Sequence, residues 1–127
     1  MPKTSVVFFK DTDGSVPTLV WIDEVVAKRD RRAVAKLQAR INMLRVDGRD
    51  LRRPVADVLT NGIYELRSEF GRVNYRLLYF FVGSTAAVVS HGCTKESNVP
   101  PAEIELARKR KELFESDPER HTYDGEL

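Results

Sequence analysis

The chain has 127 residues, of which 42% are hydrophobic and 31% are charged, and its formal net charge is +2. These values suit one globular domain with a single core, and the longest apolar run, residues 77–82, is too short to cross a bilayer. With one cysteine, Cys93, and no N-terminal stretch typical of a signal peptide, we expect a cytoplasmic protein with no intrachain disulfide and no membrane association.

The first half of the chain predicts one strand followed by two helices. Residues 5–10 are mainly β-branched and aromatic, which favours a strand. Pro17 opens a helical pattern that runs to about Lys28. A second amphipathic helix follows, because apolar residues recur at spacings of three and four until Asp47-Gly48 supplies a stop signal.

The second half predicts an antiparallel meander and a last helix. Three strands are expected at residues 63–69, 73–82 and 85–91, with a reversal near Phe70-Gly71 between the first two. Pro100-Pro101 then starts a helix over about residues 102–115.

Polarity predicts the remaining two segments. Residues 49–58 are predicted to be a basic connection, and residues 116–127 a polar, acidic and frayed tail after a single domain spanning residues 1–115. The resulting order, β-α-α-β-β-β-α, predicts an α+β fold in which a small antiparallel sheet has helices packed on one face.

Two arginines, Arg67 and Arg76, lie inside the predicted central strands rather than at their ends. With a two- or four-residue reversal centred on Phe70-Gly71, both point to one face, Arg67 opposes Asn74, and Glu65 opposes Arg76. A three-residue loop would separate them. The pattern allows an ordinary Glu65–Arg76 ion pair on an exposed face, or a phosphate-binding pair, for which arginine has the required permanent charge and bidentate hydrogen bonding.

A basic block precedes this hairpin. Residues 28–53 contain ten Lys or Arg and three Asp, which gives a net charge of +7. Such a block is either a surface that faces a polyanion or a solvated helix face.

The hairpin and the segments after it combine three patterns. These are a Gly-aromatic-Glu-Leu-Arg strand, a Tyr-Arg strand ending in aromatics, and a hydrophobic strand that leads through a lysine-bearing loop to a Pro-initiated helix. The residues that carry them are Gly62, Tyr64, Glu65, Leu66, Arg67, Tyr75, Arg76, Tyr79, Phe80, Phe81, His91, Gly92, Lys95, Pro101, Glu103, Ala107 and Arg110. In this combination, over about residues 59–114, the chain resembles the HigB-like branch of the RelE/ParE toxin superfamily.

The chain departs from that pattern in the loop. The family usually has two adjacent lysines and a threonine, whereas Lys95 is followed here by Glu96 and Ser97, and Cys93 replaces an aromatic residue.

The resemblance implies a small microbial-RNase-like fold and a cytoplasmic toxin of a type II toxin–antitoxin pair, with no metal or cofactor. Most such relatives cut mRNA, often on the translating ribosome, so the implied partners are the ribosome, mRNA and a HigA-like antitoxin with a helix-turn-helix domain. Two alternatives remain open on the same fold. One is a ParE-like toxin that binds a protein target such as gyrase, and the other is a weakened toxin with a regulatory role, suggested by Glu96.

For a nuclease, the resemblance assigns the catalytic roles. Arg67 and Arg76 would stabilise the phosphorane, and Lys95 would assist or act as the base. His91 is either a further catalytic candidate or a structural residue, and Tyr64 or Phe80 could stack a base. The basic block would contact RNA phosphates through Arg29, Arg31, Arg32, Lys36, Arg40, Arg45, Arg49, Arg52 and Arg53.

Overall fold

The structure, a computed structural model, describes residues 4–60, 62–83, 86–94 and 98–127. Within these ranges, six strands form a single mixed sheet. They are β1 (Ser5–Phe9), β2 (Ala56–Thr60), β3 (Ile63–Phe70), β4 (Val73–Val82), β5 (Ala86–Thr94) and β6 (Thr122–Tyr123). Their order in the sheet is β2-β3-β4-β5-β1-β6, with β1 parallel to β5 and every other neighbouring pair antiparallel.

In the part of the chain that the structure describes, three helices accompany the sheet. Helix α1 begins with the α-helical turn Pro17–Trp21, continues as the π-helical segment Ile22–Val26 and ends with Ala27–Arg29. Helix α2 (Arg31–Asp47) is capped by Asp30, whose carboxylate accepts a hydrogen bond from the Arg32 backbone N–H at 2.9 Å. A short 3₁₀ turn, Gly48–Asp50, follows α2, and helix α3 spans Pro101–Ser116. No helix within the described ranges is long and apolar enough to span a membrane.

The sheet is covered on both faces. Side chains alternate along β4, so Leu77 and Phe81 point to one side and Leu78 and Phe80 to the other. The first side packs against α1 and α2 in a core whose helical members are Ile22, Val26, Ala33, Leu37, Ile41 and Leu44. The second side packs against Ala107 and Phe114 of α3. The expected α+β fold is therefore confirmed, but the expected placement of all helices on one face is wrong.

The reason lies in the composition of the second face. Ile63, Leu78 and Phe80 are all at most 1% exposed there, and an apolar surface of this kind needs a covering element. Helix α3 supplies it beside β3, β4 and β5. The second face remains open where it becomes polar, towards the β3–β4 turn.

Two strands lie where the sequence predicted none. Strand β2 begins within the predicted basic connection and pairs with β3 as an edge strand. Strand β6 falls within the predicted tail, where it pairs with β1, and His121 just before it is only 3% exposed. The expectation of a frayed tail is therefore wrong for this segment.

Candidate active site

A two-residue turn, Gly71–Arg72, joins β3 to β4, and both residues have positive φ (57° and 66°). Such a turn suits the twist of a tight hairpin. It brings Arg67 directly opposite Arg76. The predicted pairings of Arg67 with Asn74 and of Glu65 with Arg76 are wrong, because the turn lies one residue later than expected. This moves each partner by two positions, an even shift, so the prediction that both arginines share one face with Glu65 is confirmed.

Two carboxylates contact the facing arginines. Glu65 Oε1 is 2.5 Å from Arg76 Nη1 and 3.2 Å from Arg67 Nε. Asp57 Oδ2 is 3.4 Å from Arg67 Nη2 and 2.8 Å from Arg53 Nη2. These five side chains alternate in sign from Arg53, just before β2, through Asp57, Arg67 and Glu65 to Arg76 on β4, and we call them the ion ladder. Like charges placed directly opposite destabilise a sheet, and the carboxylates offset that repulsion.

The ion ladder also fixes the charge state of Asp57. Its hydrogen bond from Arg53 lowers the pKa of the Asp57 carboxyl below its usual value, and the nearby Arg67 charge acts in the same direction. Asp57 therefore remains ionised at neutral pH. It stands opposite Glu65 in the β2–β3 register.

Exposure distinguishes the members of the ion ladder. The Glu65 side chain is 4% exposed and that of Arg76 is 12% exposed, whereas 37% of the Arg67 side chain is exposed. The buried Glu65 therefore holds Arg76 in place, and Arg67 presents the more accessible guanidinium group.

An open cleft of about 550 Å³ lies over this hairpin. Its charged lining residues are Arg40, Glu65, Arg67, Glu69 and Arg76, and its other lining residues are Pro54, Leu59, Ser68, Asn74, Tyr75, Asn98 and Val99. Three guanidinium groups and two carboxylates give this lining a net charge of +1. The arrangement can bind an anion with several fixed N–H donors at once.

Lys95, the predicted third catalytic cation, lies outside the described residues, as do Glu96 and Ser97. Their neighbours in the chain are described. Thr94 pairs with Tyr75, and both Tyr75 and Asn98 line the cleft. In sequence, therefore, Lys95 falls between a strand end that pairs beside the cleft and a residue of the cleft wall.

His91 lies on the same face as the arginines, since it pairs with Leu78. Its side chain is 8% exposed, with Nδ1 2.8 Å from Ser90 Oγ and Nε2 3.6 Å from Glu103 Oε1. Burial, assisted by the Arg110 charge, lowers the pKa of His91 to about 4. The imidazole is therefore neutral at pH 7 and lies beneath α3. A catalytic role for His91 stays a prediction.

The aromatic candidates separate clearly. Phe80 is fully buried and packs edge-on against Phe114 at a centroid distance of 6.1 Å, so the expectation that it could stack a base is wrong. Tyr64 is partly exposed, on the opposite face of the sheet from Arg67.

The structure does not gather the basic block into one surface. Towards the N-terminal part of α2, Arg32 pairs with Asp30 and lies 5.3 Å from the Phe70 ring centroid, while the Lys36 ammonium donates to the Glu69 carbonyl. Arg45 donates to Asn42 at 2.8 Å. The other members lie in three places: Arg40 in the cleft, Arg29 and Arg31 exposed at the α1–α2 junction, and Arg49, Arg52 and Arg53 around a second cavity beside β2.

Asp57 is the site residue that the sequence analysis missed. It was assigned to the basic connection because Arg52, Arg53 and Pro54 precede it. The apolar run from Val55 to Leu59, interrupted only at Asp57, was the available signal for an edge strand that carries one polar side chain. Within the described ranges, no three His, Cys, Asp or Glu side chains are grouped so as to hold a metal ion.

Comparison with known families places the chain. Residues 24–112 match the family described as Phage derived protein Gp49-like (DUF891). The chain belongs to this family. The Gp49-like proteins are RelE-like toxins of the type II toxin–antitoxin class. The match contains the complete hairpin of Arg67 and Arg76 and most of α3, and it leaves out β1 and β6. No curated protein matches the chain.

Proposed function

We propose that this Gp49-like protein is the toxin of a type II toxin–antitoxin pair and a metal-independent endoribonuclease of the HigB-like branch, which cuts mRNA on the translating ribosome. The observation that carries the proposal is the direct opposition of Arg67 and Arg76 in an open cleft, with Glu65 between them. Glu65 contacts both guanidinium groups, and Arg67, 37% of whose side chain is exposed, also faces the cleft.

The proposed reaction is attack of the ribose 2′-oxygen on the adjacent phosphorus, with its proton passing to a base. The bond from phosphorus to the 5′-oxygen breaks, and that oxygen leaves as a protonated hydroxyl, so the products are a 2′,3′-cyclic phosphate and a 5′-hydroxyl end. Arg67 is accessible enough to contact that phosphate. Arg76 is oriented beforehand by its hydrogen bond to Glu65, so little reorganisation is needed when negative charge develops on the phosphorane. Arg40, in the same cleft, adds a third positive charge.

We assign proton transfer to Lys95. The family resemblance implies this role, in which the amine of a lysine serves as the base for the 2′-hydroxyl. His91 is a weaker candidate, since it lies buried under α3. A site with so few catalytic groups fits a ribosome-dependent enzyme, since the ribosome itself would orient the mRNA. The further proposed partner is a HigA-like helix-turn-helix antitoxin, and the proposed location is the cytoplasm.

The test is induced expression of the wild type and of Arg67→Ala in a bacterium, followed by mapping of mRNA 5′ ends. Arg67→Ala should lose the new 5′ ends by a factor of about 10² or more, as expected for the loss of a donor to the developing oxyanion. It should remain folded, because Glu65 keeps its bond to Arg76. Arg108→Ala is the matched control, since Arg108 is exposed and also pairs with two carboxylates, Glu105 and Glu112, outside the cleft.

Arg76 requires a gentler substitution than alanine. Removing its side chain would leave Glu65 as a buried carboxylate without this partner, at a cost of about 3 kcal/mol or more in folding free energy. Arg76→Lys keeps the charge and removes the planar fork, so it should lower cleavage while the protein remains folded.

The outcomes separate the candidate functions. Undiminished cleavage by folded Arg67→Ala would remove the arginine pair from the mechanism. Growth arrest with intact mRNA would favour a ParE-like inhibitor of a protein target. The absence of growth arrest by the wild type would favour the weakened, regulatory toxin.

A further inference from the structure

A second cavity, of about 580 Å³, lies on the other face of the sheet, beside β2. We call it the edge pocket. Its lining includes Arg49, Arg52, Arg53, Asp57, Val58 and Tyr64. A cavity of this volume lies within the range that small ligands occupy. None of the steps proposed above uses it.

The floor of the edge pocket is flat and apolar. Tyr64 stacks on Tyr79 at a centroid distance of 5.4 Å with an interplanar angle of 21°, and it meets Phe81 edge-on at 5.2 Å. These contacts fix the orientation of the Tyr64 ring. Val58 pairs directly with Tyr64 across the β2–β3 register and is 54% exposed. A fixed aromatic ring beside an exposed valine forms a surface on which a planar group can lie.

The rim of the edge pocket is cationic. The Arg49 guanidinium lies 4.3 Å from the Phe81 ring centroid and donates to the Gly83 carbonyl at 2.7 Å, while Arg52 donates to the Arg49 carbonyl at 2.5 Å. Carbonyl oxygens orient these two guanidinium groups without cancelling their charge. Arg53 is paired with Asp57. Three arginines and one aspartate give the lining a net charge of +2.

An aromatic floor beneath a cationic rim matches a nucleotide, because a base has a flat apolar face and its phosphate is anionic. Single-stranded RNA is bound in this way, by stacking on aromatic rings and by arginine contacts to the backbone. An acidic peptide would complement the charge and would leave the flat floor without a matching group.

The edge pocket also adjoins the cleft. Asp57 Oδ2 contacts both Arg53 at the pocket and Arg67 in the cleft, at 2.8 and 3.4 Å. The two cavities therefore lie on either side of β2, an edge strand that no other described strand covers. One RNA strand passing over this edge would reach both cavities.

We propose that the edge pocket binds one nucleotide of the RNA substrate, with its base against Tyr64 and Val58 and a phosphate on Arg49 and Arg52. This inference rests on the proposed nuclease function. It adds a subsite that lies away from the scissile phosphate and that selects single-stranded RNA with an unstacked base.

The experiment measures fluorescence anisotropy of a short, uncleavable 2′-O-methyl single-stranded RNA titrated with the full chain. Tyr64→Leu should weaken binding roughly 5- to 150-fold, the worth of one base–aromatic stack, whereas Tyr64→Phe keeps the ring and should bind as the wild type does. Arg52→Gln should weaken binding and reduce the slope of log affinity against log salt by about 0.7, as expected for the loss of one phosphate contact on a single strand. Arg108→Gln, which removes an exposed arginine elsewhere, is the control, and it should not weaken RNA binding as Tyr64→Leu and Arg52→Gln do.

Two results would overturn the subsite. One is wild-type RNA affinity in a folded Tyr64→Leu, with folding checked by circular dichroism. The other is that Tyr64→Leu and Arg52→Gln lose affinity for a polyglutamate peptide, used as the acidic probe, while they bind RNA as tightly as the wild type does.

Cleavage mapping in cells separates this inference from the proposed function. If the Tyr64→Leu variant cuts mRNA and binds RNA as the wild type does, the subsite alone is overturned. Tyr64-dependent RNA binding without cleavage would support the subsite and remove the nuclease. A wild type that neither binds nor cuts RNA would overturn both.

Discussion

Glu65 and Arg67 are two positions apart on one strand face, yet burial gives them different roles. Glu65 is 3% exposed and accepts hydrogen bonds from the arginines on either side, so it orients them and does not meet a substrate. Arg67 has 37% of its side chain exposed above this anchor. The sequence predicted the composition and the shared face of this group. It did not predict which member is buried, because that depends on the packing of α3 and β2 around the hairpin.

His91 provides a prediction about pH at the scale of one residue. Its pKa is lowered from 6.5 to about 4 because the neutral imidazole is buried, so between these values the unfolded chain binds more protons than the folded one. The free energy of unfolding should therefore fall as the pH decreases from 6.5 to 4, by about 3 kcal/mol for this group. The contribution is fully retained above pH 6.5. Urea unfolding at a series of pH values measures it.

The matched variant for this prediction is His91→Gln, which keeps a polar side chain and does not titrate. Subtracting its pH profile from that of the wild type removes the carboxylates that titrate in the same range. Parallel profiles for the two proteins would show that His91 is not buried as a neutral group.

At the scale of elements, the hairpin shows what a sequence pattern can and cannot specify. Alternating apolar residues predicted β4 to the residue. The register depended on the turn, which places Arg72 in a conformation that arginine seldom adopts (φ 66°). Because no local signal marks that conformation, the predicted pairing was wrong by two residues while the faces remained right.

Helix α1 and strand β5 meet through Gly92 and Trp21. A Cβ at Gly92 would overlap the Trp21 ring, which also packs edge-on against Tyr75 at a centroid distance of 6.1 Å. Gly92→Ala should therefore destabilise the protein by about 1–3 kcal/mol, since a methyl group forced into a packed interface displaces its neighbours. The measurement is the urea midpoint of the purified variant.

A double mutant checks that this cost arises at Trp21. In Gly92→Ala/Trp21→Leu, the smaller side chain leaves room for the new methyl group, so the two substitutions should cost less together than the sum of their separate effects. Strict additivity would place the strain elsewhere. Gly92 is one of the residues that carry the family resemblance, and its contact with Trp21 gives a structural reason for a glycine at this position.

At the scale of the whole molecule, the two strands that sequence reasoning missed complete the sheet at its opposite edges. Strand β2 brings Asp57 into the ion ladder and forms a wall of the edge pocket. Strand β6 covers β1 at the other edge. Both strands are short, with five and two residues, and each lies in a largely polar segment. The local pattern of apolar residues therefore gave little indication of either strand. The acidic composition of residues 116–127 indicated a solvated tail, whereas a few buried contacts determine where that segment lies.

Removal of residues 117–127 should destabilise the whole sheet. In this segment, the His121 ring stacks on the Phe9 ring at a centroid distance of 5.2 Å, and His121 Nδ1 lies 2.7 Å from the Lys10 carbonyl oxygen. Tyr123 packs against Phe8. Losing this cover should cost about 3 kcal/mol of unfolding free energy, and it should turn β1 into an exposed apolar edge prone to self-association. Urea unfolding and size-exclusion chromatography measure the two effects. A shorter deletion, of residues 124–127, keeps β6 and should cost less. If the longer deletion unfolds at the wild-type midpoint and elutes as a monomer, β6 does not stabilise the sheet.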